Sequence, residues 1–306
     1  MSRTHRQQVL VSAADLADEL EGDRPHTVLD VRWHLMDPAG AGRERYAAGH
    51  LPGARFLDLE SVLTRHTGDP LDGRHPLPDA DTLARGLGAL GVHETDGLVV
   101  VDEPGSYAAE RAWWVLRWAG LAVRVLDGGI PAWVSAGGQL ETGDGPLPDR
   151  TSPQVSVGRL ATLTTDEAAA WARSGVLLDA RPAPRYRGET EPLDPRAGHL
   201  PGAVNLPATT LYAADGTLPD DVTLRSALEA VGVDVHEKDR GDRDGDRDGD
   251  PIVPSRVAAS CGSGVSAARQ LLALAVLGIE APLYPGSFSA WSHDPTRPVA
   301  TGREPD

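Results

Sequence analysis

The residue in this chain with the clearest chemical potential is its only cysteine, Cys261. It follows an apolar run at 256–260 and opens the loop Cys-Gly-Ser-Gly-Val-Ser at 261–266, after which a helical pattern begins. Glycines in the loop let the backbone curl, so successive N–H groups can point at the sulfur, and the helix start adds positive potential. We therefore expect a thiolate there that is able to carry a second sulfur as a persulfide.

Two other interpretations of this cysteine have to be weighed. A lone cysteine after an apolar strand can be a small buried residue. The glycine-rich loop favours function, because active sites of open α/β sheets collect at the carboxyl ends of strands. A phosphatase would also place a cysteine there, but it needs an arginine six positions on to bind phosphate through two hydrogen bonds. That position is Ala267, which argues against phosphatase chemistry.

The elements that position this loop occur twice in the chain. Four blocks of sequence recur in the same order: 28–32 as 177–181, 49–54 as 198–203, 99–102 as 258–261, and 128–133 as 286–291. Matched blocks in a fixed order indicate a duplicated domain. The alignment places Asp102 of the first copy opposite Cys261 of the second.

Each copy alternates short apolar strands with helical patterns, which predicts an α/β fold with a parallel sheet covered by helices on both faces. In the first copy we expect strands at 27–31, 98–101 and 122–126, and helices at 12–20, 80–90, 108–119 and ending near 133. In the second we expect strands at 176–179, 256–260 and 282–284, and helices at 165–173, 222–231 and 266–277. The domains would span 1–142 and 155–306, joined by a linker at 143–154.

Composition limits the possible functions. The net charge of −16 argues against non-specific binding to nucleic acid or to an anionic membrane. A single cysteine excludes an internal disulfide and a multi-cysteine metal site, and it suits a reducing compartment. We find no signal peptide and no apolar run long enough to span a membrane, so we expect a cytoplasmic protein.

The second copy carries an Asp/Arg/Gly-rich insertion at 239–250, which predicts a disordered surface loop. Residues 244–249 resemble the start of a calcium loop. However, Ser255 stands where a bidentate glutamate is required, so we do not expect calcium binding.

From about Val11 to Trp291, the chain resembles the tandem-domain rhodanese family, and within it the 3-mercaptopyruvate sulfurtransferases. The loop at 261–267 is similar to the mercaptopyruvate-type sequence CGSGVTA, with Ser266 in place of threonine. Thiosulfate-type relatives carry basic residues just after the cysteine, which suits a dianionic donor, whereas Gly262 and Ser263 are neutral. The resemblance favours 3-mercaptopyruvate as donor and leaves thiosulfate as the alternative.

The resemblance also implies which copy is active. Asp102 cannot accept sulfur, so the first copy would be catalytically silent. His50 and His199 lie in the Gly-His motif of each copy and would be structural, because only one copy has the nucleophile.

Arginines are expected to bind the donor's carboxylate. The family pattern Arg-aromatic-Arg-Gly implies this role for Arg185, before Tyr186, and an arginine ahead of the second Gly-His motif implies it for Arg196. Further contacts to the donor would come from the loop residues Gly262, Gly264, Val265 and Ser266.

The first copy is similar to the family stretch that supplies an acid and a histidine to the site. Carried over, His75 would pair with Ser263 and would be oriented by Glu60 or Asp58, with His66 as a nearby competitor. Such a relay could protonate the pyruvate enolate as sulfur departs.

The implied mechanism is a two-stage transfer through the cysteine persulfide, with no metal and no organic cofactor. A small-molecule donor supplies the sulfur, and cyanide, a small thiol or thioredoxin accepts it. The alternative from a different class is a non-catalytic sulfur-sensing module, in which Cys261 would gain no sulfur from either donor.

Overall fold

A computed structural model describes residues 4–22, 26–145, 148–235 and 256–305. The insertion at 239–250 and Ser255 of the calcium-like loop lie outside the described residues. Among the helices of the described ranges, none is long and apolar enough to cross a membrane.

The first copy forms a five-stranded parallel sheet. Its strands are β1 (Leu10–Val11), β2 (His26–Asp30), β3 (Arg55–Phe56), β4 (Gly97–Val101) and β5 (Val123–Leu126), in the order β1-β5-β4-β2-β3. Its helices are α1 (His5–Val9), α2 (Ala13–Glu21), α3 (Ala41–Ala48), α4 (Leu59–Val62), α5 (Ala80–Ala89), α6 (Ala108–Trp118) and α7 (Gly129–Ser135), with a 3-10 turn at Pro70–Asp72.

The second copy forms a three-stranded parallel sheet. Its strands are β6 (Val176–Asp179), β7 (Ala203–Asn205) and β8 (Val257–Ser260), in the order β7-β6-β8. Its helices are α8 (Thr165–Ser174), α9 (Ala183–Tyr186), α10 (Asp221–Glu229), α11 (Ala267–Val276) and α12 (Ser287–His293), with a 3-10 turn at Ala208–Leu211. The strand predicted at 282–284 is wrong: Leu283 makes only isolated bridges to Thr162 and Ala259.

Helices cover both faces of each sheet, which confirms the predicted fold class. The outer faces carry separate apolar clusters, around Leu16 and Trp133 in the first copy and around Leu177 and Trp291 in the second. The inner faces share one continuous apolar core.

Equivalent helices of the two copies meet in that shared core. Helices α6 and α11 pack against each other and are buried along almost their whole length. A buried ion pair joins them, with Glu110 Oε1 2.9 Å from Arg269 Nη1. Because α6 follows the loop after β4 and α11 follows the loop after β8, the packing brings both loops to the domain interface.

Candidate active site

Cys261 follows β8 directly, at the carboxyl end of the sheet, and its loop leads into α11. Its Sγ accepts the N–H of Gly264 at 3.1 Å. Gly264 has a φ of +80°, and a Cβ there would lie 2.8 Å from Pro285 O, so the turn that presents this amide requires glycine. Ser287 Oγ lies 4.0 Å from Sγ and accepts the N–H of Cys261 at 3.1 Å.

The loop carbonyls are held from outside the loop. Phe288 N–H donates to Cys261 O at 3.0 Å and Ser289 N–H to Gly262 O at 2.8 Å. Arg111 Nη1 donates to Gly264 O at 3.1 Å. In a trans peptide the N–H points opposite to the C=O, so the amides that follow these carbonyls turn away from those partners. Of the loop amides, that of Gly264 is the one within hydrogen-bond distance of Sγ among the described residues.

Cys261 is 2% exposed and lines a cavity of about 230 Å³ between the domains. The first copy contributes its wall through Trp33, His34, Leu35, Met36, Arg74, Gly105 and Tyr107. The second contributes Ala180, Arg181, Pro182, Arg185, Pro192, Leu193, Thr209, Cys261, Gly262, Ser263, Val265 and Ser266. A small anionic donor could reach the sulfur here.

His75 links the two domains at the loop. Its Nδ1 lies 2.7 Å from Ser263 Oγ and its Nε2 lies 3.3 Å from Glu60 Oε1. Burial lowers the pKa of His75, against an opposing effect of Glu60, so the ring is neutral at pH 7. In the tautomer that satisfies both contacts, the Ser263 hydroxyl donates to Nδ1 and Nε2–H donates to Glu60.

Glu60 is fixed by a further donor. Trp33 Nε1–H donates to Glu60 Oε1 at 2.7 Å, and the Trp33 ring meets the His75 ring edge-on at 5.1 Å. The hydrogen bond with His75 is the main cause that lowers the pKa of Glu60, so this group stays a carboxylate. A neutral histidine between a hydroxyl and a carboxylate can accept a proton and return it.

Asp58 does not belong to this chain of contacts, which corrects the expectation that it could orient His75. Its Oδ1 accepts the N–H of Ser61 at 2.7 Å and the Ser61 hydroxyl at 2.8 Å, so it caps the start of α4. His66 is exposed, and its Nε2 contacts Glu60 O at 3.0 Å rather than Ser263.

Of the two predicted arginines, the structure brings only Arg185 to the cavity. Arg196 instead donates to four backbone carbonyls, at 2.6–2.8 Å: Trp291 O, Ser292 O, Asp294 O and Arg297 O. These carbonyls lie in the last turn of α12 and just beyond it, where no intrahelical donor is available. The expectation that Arg196 binds substrate is therefore corrected: its guanidinium closes a helix end.

Sequence reasoning missed Arg74 and Asp194. A Cβ on Gly262 would lie 3.1 Å from Arg74 Nη2 and 3.5 Å from Arg185 Nη1, so two guanidiniums flank the residue after the cysteine. Asp194 binds both, with Oδ1 on Arg74 Nη1 and Oδ2 3.1 Å from Arg185 Nη2. The place of Arg74 directly before His75 is the signal that could have identified it.

Arg111 was also missed. This fully buried side chain of α6 donates to Gly264 O and to His75 O, at 3.1 and 3.0 Å, and so ties the cysteine loop to the histidine segment. Burial lowers the pKa of Arg111 to about 10, which still leaves it charged at pH 7. A cation beside the loop favours an anionic sulfur.

This fold and site define a class of protein. The model of the rhodanese-like domain matches residues 12–136 and again 164–294. The chain belongs to the rhodanese family and, within it, to the two-domain sulfurtransferases.

Three relatives illustrate the membership. SseB of Mycobacterium tuberculosis, provisionally named a thiosulfate sulfurtransferase, is 44% identical over 97% of this chain and 98% of its own length. A Pseudomonas aeruginosa protein, provisionally named a 3-mercaptopyruvate sulfurtransferase, is 40% identical over 96% of this chain and 98% of its own length. The crystal structure of SseA from Escherichia coli, titled for the rhodanese fold and mechanism of 3-mercaptopyruvate sulfotransferases, has a TM-score of 0.75 at 32% identity, over 91% of this chain and 98% of that one.

Proposed function

We propose that this protein transfers sulfur from 3-mercaptopyruvate to a thiol or to cyanide through a persulfide on Cys261. The observation that carries the proposal is the continuous contact of Ser263 with His75 and of His75 with Glu60, beside a sulfur that accepts the Gly264 amide. That arrangement joins a nucleophile to a proton relay that begins at Ser263 on the cavity wall and continues behind it through His75 to Glu60.

In the first stage the Cys261 thiolate attacks the sulfur of mercaptopyruvate. The carbon–sulfur bond breaks and its electron pair passes to carbon as the enolate of pyruvate. His75 accepts the proton of the donor's thiol through Ser263 and returns it to the enolate carbon, so pyruvate leaves and the persulfide stays anionic. Arg185 holds the donor's carboxylate.

In the second stage an acceptor thiolate or cyanide attacks the outer sulfur. The sulfur–sulfur bond breaks, and Cys261 departs as a thiolate, which closes the cycle. A reducing, cytoplasmic setting suits this step because it keeps both the enzyme's thiol and an acceptor such as thioredoxin reduced.

Thiosulfate is the second candidate donor, favoured by the name of the Mycobacterium tuberculosis relative. The two residues after the cysteine, Gly262 and Ser263, are uncharged, which supports mercaptopyruvate instead. Steady-state turnover on both donors, with the same acceptor thiol, tests the assignment. We expect the higher kcat/KM with mercaptopyruvate and a pyruvate product. A higher value with thiosulfate would overturn the donor, and no turnover with either would favour the non-catalytic sensor.

A further inference from the structure

We propose that Arg74, from the first domain, is the second anion-binding residue for the sulfur donor and that it determines how well a dianionic donor is used. This inference rests on the proposed sulfurtransferase function. It assigns the place expected of Arg196 to a residue of the opposite domain.

The position of Arg74 places it at the donor's end of the cavity. Both Arg74 and Cys261 line that cavity, and the guanidinium faces Gly262, where a Cβ would lie 3.1 Å from Nη2. Glycine therefore leaves the room that the guanidinium occupies. The Arg185 guanidinium approaches the same residue, so an anion held beside Gly262 would meet cations from both domains.

Arg74 is also held in place, while some N–H groups of its guanidinium have no partner among the described residues. Its Nη1 pairs with Asp194, whose carboxylate is completely buried and also binds Arg185. Its backbone N–H donates to Ser289 Oγ at 3.1 Å. Its Nε is buried and has no hydrogen-bond partner among the described residues. A fixed guanidinium with unused N–H groups is suited to bind a carboxylate or a sulfonate-like group.

The other arginines of the cavity are more fully engaged. Arg181 binds Asp179 through two nitrogens and also donates to Gly198 O at 2.8 Å. Arg185 binds both Glu191 and Asp194. Arg74 thus supplies the positive charge that the cysteine loop itself lacks. Thiosulfate carries two charges on a compact group and mercaptopyruvate one carboxylate, so losing Arg74 should weaken thiosulfate use more.

The test compares Arg74→Gln and Arg74→Lys with Arg65→Gln, which removes the same charge from an exposed arginine of the same segment. For Arg74→Gln we expect the KM for mercaptopyruvate to rise by about tenfold to a hundredfold, the worth of a charge-assisted hydrogen bond, with little change in kcat. The rise for thiosulfate should be larger. Arg74→Lys should recover part of the loss, and Arg65→Gln should match the wild type.

Two results would overturn the role of Arg74. One is a KM within twofold of the wild-type value for both donors. The other is a lower kcat and melting temperature at unchanged KM, which would show a structural role. If Arg74→Gln does not fold, the KM values of Arg74→Lys decide between these results, because this variant keeps the charge and loses the forked geometry of the guanidinium. A wild-type protein that turns over neither donor would instead refute the proposed function.

Discussion

The two copies of the domain share a buried histidine built in the same way. His50 Nδ1 lies 2.9 Å from Tyr46 O and its ring stacks on Tyr46 at 3.9 Å. His199 Nδ1 lies 2.8 Å from Tyr186 O and its ring stacks on Tyr186 at 3.8 Å. The copy without the cysteine keeps both contacts, which supports the prediction that these histidines are structural.

The loops after β4 and β8 have the same length and the same turn, but different chemistry. Gly105 and Gly264 both have a φ of +80° at equivalent positions. In the second copy the Gly264 amide donates to Cys261. In the first copy the Asp102 carboxylate accepts the N–H of Ala109 at 3.0 Å, at the start of α6. Burial and the nearby Glu110 raise the pKa of Asp102 well above its usual range.

The residue after each of these positions also differs between the copies. In the first copy Glu103 Oε1 pairs with Arg45 Nε at 2.5 Å, and its Oε2 lies 3.5 Å from Arg32. In the second copy the equivalent residue is Gly262, and the space beside it is open to Arg74 and Arg185. The first copy pairs its cations with a carboxylate of the loop itself, whereas in the second copy the cations beside Gly262 pair with Asp194 from outside the loop.

Loss of the proton relay is the largest effect that we expect from a change outside the cysteine. His75→Asn should lower kcat with mercaptopyruvate by about 10²–10⁴-fold, the usual worth of general acid–base catalysis. Steady-state kinetics measure it, and His93→Asn, at an exposed histidine of the same domain, is the matched control. A His75→Asn enzyme with nearly wild-type kcat would remove the relay from the mechanism.

Substitutions of the two arginines that were predicted to bind substrate should have different effects on KM. Arg185→Gln should raise the KM for mercaptopyruvate by about tenfold to a hundredfold, because a charge-assisted bond to the carboxylate is lost. Arg196→Gln should leave KM unchanged and lower the melting temperature, because four carbonyls at the end of α12 and just beyond it lose the guanidinium that binds them. Equal KM effects would contradict this separation.

The protonation of His75 gives a smaller, pH-dependent effect. Since burial lowers its pKa from the ordinary value of 6.5, its contribution to stability is full above pH 6.5 and is lost as the pH falls towards the folded-state pKa. Glu60 raises this pKa, so Glu60→Gln should lower it further. An NMR titration of the His75 ring, assigned with His75→Asn, measures both values. A wild-type pKa above 6.5 would contradict the account.

The smallest expected effect is that of moving the cysteine to the first copy, which should restore no activity. A chain with both Cys261→Ser and Asp102→Cys has a cysteine after the first copy's central strand, in a loop with the same turn. It should still show no transfer, because Pro104 stands where Ser263 is needed and Glu103 occupies the anion site. Turnover on mercaptopyruvate is the assay. Measurable activity would show that the strand and turn alone suffice.

Patterns along the chain predicted most of the fold. Strand 176–179 has the predicted bounds, and the helices predicted at 80–90 and 108–119 end one residue earlier, as α5 and α6. Apolar runs and caps such as Ser12 are local signals. Short elements such as β1 and β3 carry too few residues to show a period, so they could not be predicted.

The site was only partly predictable. The cysteine loop and the histidine segment each have a local sequence pattern, and the fold brings them together. The bond of Arg74 to Asp194 joins distant parts of two domains, so no local pattern indicates it. Arg196 is indistinguishable in sequence from a ligand-binding arginine until its partners near the end of α12 are known. Asp58 lies three residues before Ser61, a helix-cap spacing that could have been recognised.

In the proposed mechanism, Cys261 is the residue that carries the sulfur. Intact-mass measurement of the wild-type chain after a stoichiometric amount of 3-mercaptopyruvate, without acceptor, should show an addition of about 32 Da, one sulfur atom, that an acceptor thiol removes. The Cys261→Ser chain should show no addition. An unmodified wild-type chain, or the same addition on Cys261→Ser, would contradict the account.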